Sequence, residues 1–156
     1  MSSEKLQAQE FAVRVLKSHI ATKRLAHTYL LTGNKDSGKD EVALAFAAAL
    51  NCSESHSFES CGCIPCKKVA EANHPDVKCL GEDAKARSIK IEEIRTMIGE
   101  TWLKPYEGKW KVFILKNAKM QMRTTFTRRA NIASIADFSN LLTGDDRNCF
   151  CRIIGN

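Results

Sequence analysis

Thr28-Tyr29-Leu30-Leu31-Thr32-Gly33-Asn34-Lys35-Asp36-Ser37-Gly38-Lys39-Asp40 is the stretch whose reading decides the fold. An apolar run, Thr28 to Thr32, enters a loop bounded by Gly33 and Gly38, and an amphipathic stretch from Glu41 to Leu50 leaves it. Strand, GxxxxGK loop and helix in that order form a phosphate-binding loop. The glycines let the backbone curl so that its N–H groups face a phosphate. The new helix adds its positive end, and Lys39 reaches the outer phosphates. The candidate nucleotide-binding residues are therefore Gly33, Asn34, Lys35, Asp36, Ser37, Gly38, Lys39 and Asp40. The last of them breaks the pattern. Where a Ser or Thr hydroxyl would ligate magnesium the chain has Asp40, whose carboxylate adds repulsion beside a triphosphate.

On the N-terminal side, Leu6, Phe11, Val15, Leu16 and Ile20 recur at near-helical spacing over residues 4–22. On the C-terminal side a short helix is expected over Lys67 to Ala72, ended by His74-Pro75-Asp76, since a proline pushes its predecessor out of helix. Val77 to Leu80 reads as a second strand. Ile91, Ile94, Ile98 and Trp102 mark one face of a helix, with Glu92 and Glu93 in its first turn where the dipole favours acids. Pro105 to Gly108 is a turn, and Lys111 to Leu115 a third strand. Alternating strands and helices predict an α/β fold of three layers around a mostly parallel sheet. The residues after the third strand are where a P-loop protein keeps the acids that hold magnesium and activate water. Here they are Lys116 and Asn117, so the metal half of the site is altered twice and efficient hydrolysis is not expected.

The 156 residues suffice for one domain with a core. No run approaches the ~20 apolar residues of a membrane span, and the polar start Met1-Ser2-Ser3-Glu4-Lys5 has no signal-peptide core. A cytoplasmic protein with no membrane partner is expected. The net charge of +6 permits nucleic acid without demanding it. The acid-free run from Gly108 to Ala136 carries Lys109, Lys111, Lys116, Lys119, Arg123, Arg128 and Arg129. It reads either as a track for a phosphate backbone or as a solvated face.

Seven cysteines in such a protein point to metal or buried thiols rather than disulfides. Cys52, Cys61, Cys63 and Cys66 are the candidate ligands of one structural zinc, in an insertion of about residues 51–68. The Cys63–Cys66 spacing suits a zinc knuckle, whereas the Cys61–Cys63 gap is one residue short. Three sulfurs with His56, or a lost site, are the alternatives. Cys79 reads as a core thiol, and Cys149 and Cys151 lie too near the end to interpret.

Taken in order, Arg24 to Gly33, Ala49 to Cys52, the cysteine cluster, His74 to Val77, Ile89 to Arg95 and Lys104 to Lys109 resemble the clamp-loader subunits of bacterial DNA polymerase III, delta-prime and gamma/tau. The resemblance covers roughly residues 8–122. It implies an AAA+ P-loop domain over 1–122, with 123–156 as a divergent end of the same domain and the lid and collar domains absent. It implies assembly with gamma/tau and delta, action on the sliding clamp and primed DNA through that complex, structural zinc, and ATP or ADP as ligand with magnesium disfavoured. Asp40, Lys116 and Asn117 favour delta-prime, a stator with a degenerate site and no catalytic residues. Against it stand an active gamma/tau-like ATPase and a zinc-stabilised nucleic-acid-binding module. Two departures are plain. No Ser-Arg-Cys finger motif is found, and Thr127 to Ala136 keeps only an echo of the family's Ala-Asn-Ala-Leu-Leu-Lys signature.

Overall fold

The computed structural model describes residues 10–33, 37–54, 58, 61–81, 89–116 and 149–155, and for Ile91 and 149–155 it describes the backbone. The element order is α1 (Glu10–Ala21), β1 (Thr28–Leu31), α2 (Lys39–Asn51), α3 (Ile64–Ala70), β2 (Val77–Leu80), α4 (Ile91–Glu100), β3 (Trp110–Leu115) and β4 (Cys149–Gly155). The described residues form a mixed α/β domain built on a four-stranded sheet, in the order β1-β4-β3-β2.

β2 and β3 pair in parallel, Val77 against Val112 through Leu80 against Leu115. β1 and β3 are both antiparallel to β4, so the three strands expected from sequence share one direction. The expected parallel sheet is corrected in one respect: its second position is filled by an antiparallel strand from the C-terminal stretch that carries Cys149 and Cys151.

β3 is the strand on which both faces of the sheet are built. Val112 to Leu115 are fully buried. Because strand side chains alternate, Val112 and Ile114 join the cluster of α2, while Phe113 and Leu115 pack with Ile94 and Met97 of α4. A helix therefore covers each face. α2 is apolar on nearly all sides, with Val42, Ala43, Ala45, Phe46, Ala47, Ala49 and Leu50 buried. Its alanines let it lie close against its neighbours, as a helix buried all round requires. Tyr29 meets Phe46 edge-on, and Phe46 stacks on Phe58 of the cysteine insertion. The Tyr29 hydroxyl accepts from the Ala26 amide and bonds His19 Nδ1, which fixes the entry to β1.

α3 starts at Ile64, three residues before the expected Lys67, because Pro65 sits in its first turn, where a missing N–H costs nothing. It closes through Ala72 at φ 54°, whose amide donates to Val69 O while Asn73 N donates to Lys68 O. The described part of the basic run does not form one face. Lys109 donates to Cys52 O, Lys111 is buried in β3, and Lys116 lies beyond that strand's end. Residues 117–129 of the run lie outside the described residues.

The start of β2 is locked to the turn before β3 by Asp76. Its carboxylate, 1% exposed, accepts from the amides of Tyr106 (2.7 Å), Glu107 (2.8 Å) and Gly108 (2.8 Å). Burial alone would raise its pKa, but the three amides and the neighbouring His74 hold it below the ordinary carboxylate value. Since the folded pKa lies below the unfolded one, this contribution is complete above about pH 3.9 and fades as pH falls toward the folded value. Asp76→Asn is expected to cost about 2–4 kcal/mol, because an amide cannot satisfy three buried donors with one oxygen. Urea melts from neutral to acid pH should show the loss at neutral pH and a flatter acid limb in the variant.

Candidate metal centre and nucleotide cleft

The four candidate cysteines come together at the end of α2. Cys52 is the C-cap of that helix, Cys63 the N-cap of α3, and Cys66 lies in the first turn of α3. Cys61 Sγ and Cys63 Sγ each stand 3.8 Å from Cys52 Sγ. All four sulfurs lie within 4.8 Å of one another. Tetrahedral ligation at about 2.3 Å places sulfurs about 3.8 Å apart, so the donor set fits a thiolate-preferring metal ion. The short Cys61–Cys63 gap does not keep the sulfurs apart. His56, the alternative ligand, lies outside the described residues.

None of the four sulfurs is in a disulfide, and their environments differ. Burial opposes a Cys63 thiolate, but amides of Cys66 and Ser53 stabilise it and bring its pKa down to about 6. The Cys63 amide favours a Cys61 thiolate too; there the Cys63 thiol, burial and Glu54 prevail and push it up to about 11. Burial drives Cys66 upward as well. Metal must displace protons from such a cluster. Cys79, expected in the core, is half-buried in β2 against the α2 cluster.

At the opposite end of α2, Gly38 caps the helix at φ 86°, ψ 8°. This left-handed conformation is one that side chains other than glycine's rarely adopt. Ser37, Gly38, Lys39, Asp40, Glu41, Leu44 and Lys116 line a cleft of about 260 Å³. The loop and the end of β3 thus meet in one place. Gly33 lies just beyond β1, while Asn34, Lys35 and Asp36, and Asn117 beyond β3, lie outside the described residues. The backbone turn, the helix N-terminus and Lys39 suit a phosphate. Magnesium requires oxygen ligands; the cleft's acids are Asp40 and Glu41 of α2, and the residue that follows β3 into it is Lys116 where a carboxylate was the alternative. Sequence reading did not pick out Glu41 and Leu44 as cleft residues, because their helical spacing from Lys39 describes a surface stripe as well.

The sequence matches the profile of the family described as DNA polymerase III, delta subunit, over residues 8–125. The chain belongs to this family. It is 32% identical over 119 residues to the DNA polymerase III subunit tau/gamma of Haemophilus influenzae, covering 76% of this chain and 17% of that protein. It is 30% identical over 112 residues to the delta' subunit of Bacillus subtilis, covering 72% of this chain and 33% of that protein. Protein STICHEL-like 2 of Arabidopsis thaliana is 31% identical over 140 residues, 88% of this chain and 16% of that protein. The chain therefore spans a third or less of the length of these relatives. The matched span contains the cleft residues and Cys52, Cys61, Cys63 and Cys66, so both candidate sites of this clamp-loader-family chain lie inside the shared region. Among the described residues no helix is long and apolar enough to cross a membrane.

Cobalt(II) titration of metal-free protein is expected to give thiolate charge-transfer bands saturating at about one ion per chain. Cys52→Ser should lower the charge-transfer intensity by about a quarter and weaken the affinity, since one of four sulfurs is lost. An octahedral spectrum in the parent protein would show that the four sulfurs do not share an ion.

Proposed function

We propose that the chain is a delta-prime-type clamp-loader subunit, the stator of the complex that loads the sliding clamp in DNA replication. In this reading residues 1–122 form a three-layer AAA+ P-loop domain, with the module near residues 51–68 held by one structural zinc on Cys52, Cys61, Cys63 and Cys66. The subunit acts in the cytoplasm, assembles with gamma/tau and delta, and reaches the clamp and primed DNA through them. Its nucleotide site, Gly33 to Asp40, binds ATP or ADP and hydrolyses little.

Identity does not separate the two subunit types, since the tau/gamma and delta' relatives match at 32% and 30%. The observation that carries the choice is Lys116 lining the same cleft as Lys39 and Asp40. Phosphoryl transfer depends on electrostatic stabilisation of charge spreading over the transferred oxygens and on a positioned nucleophile. A lysine contributes charge, but it neither holds magnesium nor orients a water as a base. The expected result is copurification with gamma/tau and delta subunits, and phosphate release by the chain alone no faster than by its Lys39→Ala variant. Release at the rates of AAA+ motors, abolished by Lys39→Ala, would replace this reading with that of an active gamma/tau-like ATPase.

The zinc reading has its own check. Chelation of protein purified with its metal is expected to lower the melting temperature by several degrees, as loss of a metal tying Cys52 to α3 requires. An unchanged melt after complete zinc removal would mean the module folds without it.

A further inference from the structure

Where a P-loop protein keeps an acid for magnesium after this strand, the residue is Lys116, which lines the cleft, and the consequence concerns which form of the ligand the cleft accepts. We propose that the cleft binds polyphosphate as the free anion, with Lys116 as the built-in counter-cation, and that magnesium weakens binding instead of supporting it. The proposal rests on the nucleotide reading above and deepens it.

Three observations carry it. First, Lys39 and Lys116 come from different elements, the start of α2 and the end of β3, and line one cleft of about 260 Å³. The cleft thus has a basic residue from each of two elements. Second, Lys116 is held in place by its backbone. Its amide donates to Leu80 O at 2.9 Å, and its carbonyl lies so near Gly81 that a Cβ there would stand 2.5 Å from the oxygen. β2 thus fixes where the lysine begins. Third, the cleft's own acids, Asp40 and Glu41, lie in the first turn of α2, where the helix dipole compensates part of their charge. With those acids present, a phosphate needs a second cation. An ammonium that is part of the chain supplies it at every magnesium concentration, whereas a dication bound to the ligand would approach Lys116 against like charge.

Isothermal titration of the full chain with pyrophosphate, ADP and ATP, in EDTA and in millimolar magnesium, tests this. Binding in EDTA is expected for at least one probe, weakened about tenfold by magnesium, the size of one unfavourable charge contact in a partly wet cleft. Lys116→Arg should keep the pattern, Lys116→Met should lose most of the EDTA affinity, and Lys116→Asp should invert the magnesium dependence. Thermal melts that leave Lys116→Met as stable as the parent exclude loss of fold. Tighter binding in magnesium by the parent chain, or EDTA affinity unaffected by Lys116→Met, would overturn the proposal while leaving the nucleotide reading intact. No binding of any probe in either condition would overturn both.

Discussion

A buried carboxylate organises this domain. Asp76 is surrounded by protein, yet three consecutive amides from the turn before β3 converge on it. An ion can be kept away from water only when its lone pairs are met by well-placed donors. The arrangement is directional as well as stabilising. The Asp76 carbonyl accepts from Val112 N at 2.7 Å, so side chain and backbone of one residue set both the turn and the first pairing of β2 with β3. His74 is oriented in the same step, its Nδ1 accepting from the Asp76 amide. Gly108 completes the fit, since a Cβ there would stand 2.5 Å from Asn51 Oδ1 and 3.3 Å from Asp76 Oδ2. Without that glycine the turn could not approach closely enough for its amides to reach the carboxylate.

The same corner joins the two candidate sites. Asn51, at the last turn of α2, accepts from Trp110 N at 2.9 Å, and Lys109 Nζ reaches the Cys52 carbonyl at 3.1 Å. The end of α2 is thereby tied to the start of β3 next to the first metal-ligand candidate. α2 begins at the candidate phosphate loop and ends in the cysteine cluster, and β3 begins at the Asp76 corner and ends just before Lys116. Two rigid elements packed along their lengths span both sites. A metal ion on the cysteines would thus stabilise the far end of the helix whose near end builds the cleft, with no need for contact between ligand and metal.

Much of this was legible in the sequence, and the reasons differ by element. β1, β2 and β3 are short apolar runs bounded by glycine, proline or charge, and the strands appear within a residue of where those boundaries place them. The turn into α2 was legible because Gly38, at φ 86°, meets a backbone requirement that other residues rarely meet. The cysteine cluster was legible by composition, but its geometry was not, because sulfur positions depend on how Cys52 at a helix end meets a knuckle nine residues on. The role of Asp76 was hidden for a related reason. His-Pro-Asp announces a turn, while the three amides it serves lie thirty residues away, at a separation that local patterns do not encode. The start of α3 lies three residues before the expected one because Ile64 to Cys66 fall inside the segment read as a zinc knuckle, while Pro65 suits a first helical turn.

The antiparallel β4 shows what an α/β pattern constrains and what it leaves open. β3 is buried along Val112 to Leu115, and its backbone on the side away from β2 needs a partner, as does one edge of β1. Buried N–H and C=O groups must be paired, so the sheet demands a strand between these two. The demand does not specify direction, because parallel and antiparallel ladders both pair the backbone fully. A crossover helix would deliver a strand running with its neighbours. Here Cys149–Gly155 enters the position reversed, pairing Leu31 with Cys149 on one side and Leu115 with Phe150 on the other. Its run Phe150, Arg152, Ile153, Ile154 has the aromatic and β-branched content of a strand, which proximity to the chain end obscured. The helices are positioned by several strands, α2 packing on Tyr29 and Val77 as well as on Val112 and Ile114, and α4 on Leu80 as well as on Phe113 and Leu115.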